Sequence, residues 1–328
     1  MPRSEKDNVQ VIGLGQACVD YLGRVPFFPE EDGKMELLDL HKQCGGPAST
    51  ALVTLSRLGI PCSFMGAVSD DPFGREIVRG LEEGGVDFSF LKIIPGYSSQ
   101  FAFIAVSRSN ANRTIFWHRG SVPHLKKEDV TFSVFSGARI LHLDGLMIEA
   151  SLEAVKQAKD MGLTVVLDAG TLREGSLELA SLVDVLIASA RFADPLVGPG
   201  ARPEKALEAL CRLGPKTVAI TLGPKGSLGW DGKNTMAQKA FPVQAVDTTG
   251  AGDVYHGGYI YGLLQGWSMA ACMRFASAVA ALKCREVGAR KGIPTLAEVR
   301  AFMDSLPESH EPQTHADKYG QGKKKRIV

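Results

Sequence analysis

Asp247-Thr248-Thr249-Gly250-Ala251-Gly252-Asp253 stands directly before an apolar segment containing Val254, Tyr255 and Ile260. Glycine at 250 and 252 removes the Cβ atoms that would hold an oxyanion away, so successive N–H groups at a helix start can converge on one. Asp253 enters the same helix start, where its carboxylate can face a hydroxyl held against that hole. A proton acceptor beside an oxyanion cradle suits phosphoryl transfer to an alcohol. A plain helix cap needs only one Asp or Ser; two glycines, a second Asp and two threonines go beyond it. Placed near a helix N-terminus, Asp253 is expected to be ionised at neutral pH.

Outward from this stretch, the chain alternates short apolar runs with helical patterns. Val9 to Leu14, Cys62 to Val68, Ile140 to Leu143, Leu163 to Leu167, Val185 to Ala188 and Thr217 to Leu222 read as buried strands. Pro47 to Leu58, Pro72 to Glu83, Ser151 to Met161 and Pro203 to Leu213 read as helices, and Gly250 to Gln265 and Trp267 to Glu286 as two more. The pattern predicts an α/β fold, a mainly parallel sheet covered on both faces, with right-handed crossovers. Ser227 to Trp230 and Met236 to Ala240, separated by Asp231-Gly232, predict a hairpin. Residues 16–41 and 98–119 are strand-like without intervening helices, and predict paired antiparallel strands forming either a small lid over a ligand or an extension of the main sheet's edge. The domain reading is one unit over 1–304 and a tail over 305–328 without periodicity, containing the Lys323 to Arg326 cluster.

Composition narrows the classes. The 328 residues are 45% hydrophobic and 22% charged, close to globular averages. A formal net charge of +1 disfavours bulk nucleic-acid binding but permits a local site for an anionic ligand. No apolar window reaches the ~18 residues of a membrane span, and the polar start MPRSEKDNVQ does not read as a signal peptide, so a cytoplasmic location is expected. Six scattered cysteines with no C-x-x-C pair predict reduced, packed thiols.

With DTTGAGD at 247–253, the chain resembles the ribokinase-like, or PfkB, family of carbohydrate and nucleoside kinases over about Val9 to Arg300. The resemblance implies a three-layer α/β fold with a small β-sheet lid, ATP with Mg2+, and a primary hydroxyl of a sugar-like acceptor. It implies Asp253 as general base and Gly250, Ala251 and Gly252 as the phosphate cradle. Asp247 and Thr249 would lie beside the nucleotide or a monovalent cation such as K+, with the run Val287 to Pro294 completing that site. A homodimer through the lid is a further implication.

A second family signature is Gly45-Gly46-Pro47-Ala48-Ser49-Thr50. Two glycines let backbone approach a polyol, and Thr50, one helical turn on, stands where relatives carry Asn. Asp20 matches the family's sugar-binding aspartate, with Gln16 on the same segment. Lys34, Arg113, His118 and Arg119 in the lid are further substrate candidates; as cationic or titratable groups they suggest an anionic substituent such as phosphate or sulfonate. For ATP, the Thr221-Leu222-Gly223-Pro224-Lys225-Gly226 loop and Ser277 match positions that relatives use. Relatives commonly have Asn-x-x-Glu after the strand ending at Ile187, ordering magnesium-bound water; here the positions read Ser189-Ala190-Arg191-Phe192, so Ser189 is an ATP candidate and the Glu is missing. The wording FASxVAALKC and GGPAxTA is closest to the sulfofructose kinase branch. Two other classes compete: a non-catalytic sugar- or nucleotide-binding protein, and a dinucleotide-dependent oxidoreductase suggested by Gly13-Leu14-Gly15, whose third fingerprint glycine would fall at Cys18.

Overall fold

Alternate residues of the central strands belong to opposite hydrophobic cores. In β10 (Val185–Ser189), Val185 and Ile187 pack into one cluster and Leu186 and Ala188 into the other. This period of two is what a sheet buried on both faces requires. The computed structural model describes residues 8–198 and 200–306, and the backbone of a strand at 313–316. Its large sheet runs β14-β13-β12-β11-β10-β9-β8-β1-β4-β5, from β1 (Val11–Leu14), β4 (Cys62–Val68), β5 (Asp87–Ile93), β8 (Ile140–Leu143), β9 (Thr164–Ala169), β10, β11 (Thr217–Thr221), β12 (Ser227–Trp230), β13 (Asn234–Gln238) and β14 (Gln313–Ala316). The strands from β5 through β11 pair in parallel; β12, β13 and β14 add an antiparallel edge.

Helices α1 (Pro47–Arg57), α2 (Pro72–Glu83), α7 (Ala251–Leu264), α8 (Met269–Lys283) and α9 (Leu296–Asp304) bury Leu52, Ile77, Tyr259, Met273 and Val299 against one face. Helices α3 (Ile148–Asp160), α4 (Ser176–Leu182), α5 (Ala190–Val197) and α6 (Pro203–Cys211) bury Ala154, Leu179, Phe192 and Leu207 against the other. The result is the expected three-layer α/β fold. Helix α2 shows the local logic: Pro72 occupies the first turn, and the Asp71 carboxylate accepts the Gly74 N–H at 2.7 Å.

The two strand-like excursions form a separate sheet, not an extension of the main edge. Its order is β3-β2-β6-β7, from β2 (Cys18–Val25), β3 (Asp39–Gly45), β6 (Phe101–Ser107) and β7 (Arg113–His118). Each excursion is an antiparallel hairpin, as read from sequence, but the hairpins join through a parallel β2/β6 pairing. Leu22, Ala102, Ile104 and Val106 give this lid a small core of its own.

The main sheet reverses its direction of growth at β1: chain order runs outward through β4 and β5, then returns to β8 on the other side of β1. Ligands of open α/β sheets bind at such a switch, beyond the carboxyl ends of the strands. The tail reading is corrected in part, because Gln313–Ala316 pairs antiparallel with β13. The rest of that segment from 307 on, including the Lys323 to Arg326 cluster, lies outside the described residues, as do residues 1–7. Among the described residues no helix is long and apolar enough to cross a membrane, and all six cysteines are free thiols.

Candidate active site

Gly250 is the N-cap of α7, with φ 74° in the left-handed region. The Ala251 N–H donates to the Thr248 carbonyl at 3.2 Å and closes the turn. The N–H groups of Gly250, Gly252 and Asp253 have no acceptor among the described residues, which leaves first-turn donors free for an anion. The two glycines have different reasons. A Cβ at Gly250 would meet the Ala289 Cβ at 2.7 Å, whereas one at Gly252 would meet no protein atom within 4 Å. Gly252 thus presents bare backbone to open space beside Asp253.

Asp253 is half-buried. Burial raises its carboxyl above the ordinary carboxylate range, while His256, Arg113, Lys283 and Arg290 pull it back down. The fully ionised base expected from helix position alone is therefore opposed by desolvation. Burial raises Asp20, Asp144 and Asp168 as well, and the Asp253 charge adds to the rise in each.

Asp144 follows β8, where its Oδ2 accepts the Gln16 N–H at 2.6 Å and its Oδ1 the Leu146 N–H at 3.1 Å; burial pushes it up to about 6. A side chain at Gly15 would collide with this carboxylate. The Gly13-Leu14-Gly15 run thus serves packing of Asp144, and the dinucleotide reading falls. Asp168 is the penultimate residue of β9 and is also raised by burial. The His256 ring lies between the Gly252 carbonyl (Nδ1, 2.7 Å), the Ile187 carbonyl (Nε2, 3.4 Å) and the Asp168 carboxylate (Nε2, 3.5 Å), bracing the cradle from behind.

Asp20 is buried on β2, accepts the Cys18 thiol at 3.1 Å, and is pushed up to about 6 chiefly by burial. A Cβ at Gly45 would strike its carboxylate, and one at Gly46 the Gln16 carbonyl. The missing side chains of the glycine pair thus leave room for the Asp20 carboxylate and the Gln16 backbone. Thr50 is fully buried, and its hydroxyl has no partner among the described residues.

The lid candidates do not gather. Arg113 reaches the motif, its Nη1 donating to the Thr248 hydroxyl at 3.0 Å. His118 sits at the other end of β7, about 17 Å along the strand by its rise per residue, accepting the Gly120 N–H at 3.1 Å and stacking on Phe101. Arg119 donates to the Val122 carbonyl at 3.4 Å, and Lys34 is exposed in the β2–β3 loop. A second tie between lid and body places the Arg173 guanidinium over the Trp117 ring at 5.8 Å.

Of the residues expected at the nucleotide, Thr221 ends β11 and its hydroxyl donates to the Ala188 carbonyl at 3.4 Å. Gly223 and Gly226 frame a 3-10 turn at φ 59° and 93°, with Lys225 exposed. Ser277 is buried on α8. Ser189 caps α5, accepting the Phe192 N–H at 3.3 Å and donating to the Gly170 carbonyl at 2.7 Å. Phe192, at the position where a magnesium-ordering Glu was sought, is a core residue. Among the described residues no three His, Cys, Asp or Glu side chains could hold a metal ion. A divalent cation here would be carried by nucleotide phosphates and water, as the reluctance of Mg2+ to dehydrate allows.

Asp247 and Thr249 form a closed set. Asp247 Oδ1 accepts the Thr249 N–H at 2.8 Å and hydroxyl at 2.7 Å, its Oδ2 accepts the Gly288 N–H at 2.7 Å, and its carbonyl accepts the Lys283 ammonium at 2.9 Å. These oxygens, expected to face a monovalent cation, are engaged by protein donors.

Sequence reasoning passed over Asp144, Asp168, His256 and Lys283. The first two carried a signal: each closes an apolar run, LHLD and VVLD, at the carboxyl end of a parallel strand.

The sequence pattern that defines the pfkB family carbohydrate kinases matches residues 8–296. The chain belongs to this family. It is an ATP-dependent carbohydrate kinase. It is 31% identical over 302 residues to the ribokinase of Haemophilus influenzae, covering 89% of this chain and 97% of that one. It is 27% identical over 293 residues to a nucleoside kinase of Methanothermobacter thermautotrophicus, covering 88% and 93%. The crystal structure of a putative ribokinase from Agrobacterium tumefaciens superposes with a TM-score of 0.79 at 29% identity, over 90% of this chain and 98% of that one. The pfkB kinase fold with its lid is thus shared along nearly the whole chain, and the non-catalytic reading is set aside.

Proposed function

We propose that this pfkB kinase transfers the γ-phosphoryl group of ATP to a primary hydroxyl of a sugar or sugar derivative. Asp253 is the general base, and the amides of Gly250, Gly252 and Asp253 form the anion cradle. The observation that carries the reading is Gly252: its backbone faces open space, next to a half-buried carboxylate, at the first turn of a buried helix. Free N–H groups there stabilise charge on the migrating phosphoryl, and Asp253 accepts the hydroxyl proton as the new O–P bond forms. His256 holds the Gly252 carbonyl, which keeps the cradle rigid during transfer.

The sugar lies against Asp20, the Gln16 backbone and the Gly45-Gly46 turn, at the start of the helix that carries Thr50. Asp20 accepts hydrogen bonds from its hydroxyls. Arg113 brings positive charge from the lid to the phosphate loop; Lys34, His118 and Arg119 line the lid at greater distance. ATP lies along Thr221, Gly223, Lys225, Gly226 and Ser277, with Ser189 at the edge of that surface. Mg2+ neutralises the transferring phosphates when bound with ATP. Closure of the lid excludes water, which would otherwise compete for the phosphoryl group.

A homodimer through the lid is supported by its exposed apolar residues Leu40, Ile115 and Phe116. Gel filtration of wild type and Phe116→Asp tests it: a dimer that becomes monomeric is expected, and a monomeric wild type refutes it. A cytoplasmic location fits both ATP use and the free thiols.

Thermal-shift screening against ketoses, sugar phosphates, sulfosugars and nucleosides, each with a non-hydrolysable ATP analogue, followed by ADP-formation assays on the hits, tests the reading. The expected result is a stabilising sugar that is also phosphorylated. A nucleoside as the preferred acceptor is a second reading, favoured by the nucleoside kinase relative; selective turnover of nucleosides establishes it and overturns the sugar assignment.

A further inference from the structure

Lys283 has no exposed surface, and neither has Asp247. The Lys283 Nζ donates to the Asp247 carbonyl at 2.9 Å, and Asp247 is the strongest charge favouring its ammonium form, with Asp253 a weaker one and Arg113 opposing. Burial pulls this amine below the ordinary lysine range. The Asp247 carboxylate binds Thr249 on one side and the Gly288 N–H on the other, so it ties the root of the cradle to the loop after α8. A buried carboxylate needs a compensating cation, which either a dissociable ion or a side chain can provide. Here the Asp247 backbone oxygen is bonded by a buried ammonium group carried by the chain itself.

We infer that Lys283 is a positioning residue, a tethered cation that holds the Asp247 to Asp253 turn in place of a dissociable monovalent ion, so that phosphoryl transfer needs neither K+ nor Na+. The inference rests on the kinase reading above. Lys283 does not touch the reacting atoms; it fixes the carbonyl from which the turn departs, and through it the direction of the Gly250, Gly252 and Asp253 amides. Displacement of such a cradle lowers turnover more than nucleotide binding, because the cradle's bonds tighten in the transition state.

The test compares wild type with Lys283→Met in KCl, NaCl and tetramethylammonium chloride at equal ionic strength, with Mg2+ and ATP and a sugar that stabilises the protein. Wild-type turnover is expected to agree within about threefold across the salts, and its melting temperature without ligands to be the same in all three. Lys283→Met is expected to lose about a hundredfold in kcat in tetramethylammonium, with a smaller change in KM for ATP, and to regain part of the loss in KCl. A larger wild-type loss on removing K+, or a wild-type melting temperature that rises with K+ specifically, overturns the inference. So does a folded Lys283→Met enzyme with wild-type kcat in tetramethylammonium. Should that variant not fold, the wild-type salt comparison decides alone. If no sugar or nucleoside is phosphorylated, the kinase reading fails, while the melting comparison still judges the lysine.

Discussion

Replacing Gly252 and Gly250 separately by alanine distinguishes a glycine kept for its ligand from one kept for its fold. At 252 the added methyl meets no protein atom within 4 Å, and its φ lies outside the left-handed region. Alanine in a helical turn is favoured over glycine by up to about 1 kcal/mol, so Gly252→Ala should melt at or slightly above the wild-type temperature. Its cost falls on a phosphoryl group approaching the cradle, and the loss of one such donor is worth about 10²–10³ in kcat. At 250 the backbone is left-handed at φ 74°, and the methyl would press on the Ala289 Cβ at 2.7 Å and Cα at 2.8 Å. The left-handed penalty of about 1–2 kcal/mol adds to an overpacking cost of about 1–3 kcal/mol, for a destabilisation of roughly 2–5 kcal/mol. Thermal unfolding and ADP formation measured on the same preparations read both quantities. A Gly252→Ala enzyme with wild-type turnover would refute the placement of the phosphate, and equal destabilisation by both variants would refute the steric distinction.

Asp253→Asn should lower kcat by about 10²–10⁴ while ATP affinity, measured by titration calorimetry, stays near wild type; near-normal turnover removes Asp253 from the role of base. Because Asp253 must be deprotonated to act, kcat/KM rises with pH through its raised pKa. The Arg113 charge holds that pKa down, so Arg113→Ala should move the acidic limb to higher pH, and an unmoved limb contradicts the coupling. Asp20 titrates near 6 in the fold against 3.8 when unfolded, so the folded state binds the extra proton and stability from this group is lost as pH rises through 6. Asp20→Asn should therefore gain about 1 kcal/mol on wild type between pH 5 and pH 7 in urea unfolding; parallel stability curves would count against the burial of this carboxylate.

The alternation of buried strands and helices was legible because a sheet covered on both faces demands continuous apolar runs, and α2 falls on its expected span of Pro72–Glu83. Three helices escaped. Helix α4 has only seven residues, α5 carries Pro195 inside it, and α9 is a short helix with Val299 as its single buried residue; none offers two clean turns of periodicity. Strand β5 escaped as well, since its half-exposed residues give no apolar run. At the site, DTTGAGD marked the start of α7, but the separate surroundings of its glycines depend on Ala289, which lies 39 positions after Gly250 and enters only through packing. The close approach of Asp20 to Gly45 was hidden for the same reason, since it comes from the β2/β3 register.

The parallel β2/β6 pairing also bears on how the chain reaches its native state. Val19 and Phe101 are register partners although the whole β4-α2-β5 unit intervenes between them. Bringing such distant segments together carries a loop-closure entropy that the intervening unit reduces once it has folded. The lid is therefore expected to assemble after the main sheet, since neither hairpin alone holds a partner for its inner edge. Pulse-labelled amide exchange should find β1 and β4 protected before β2 and β6.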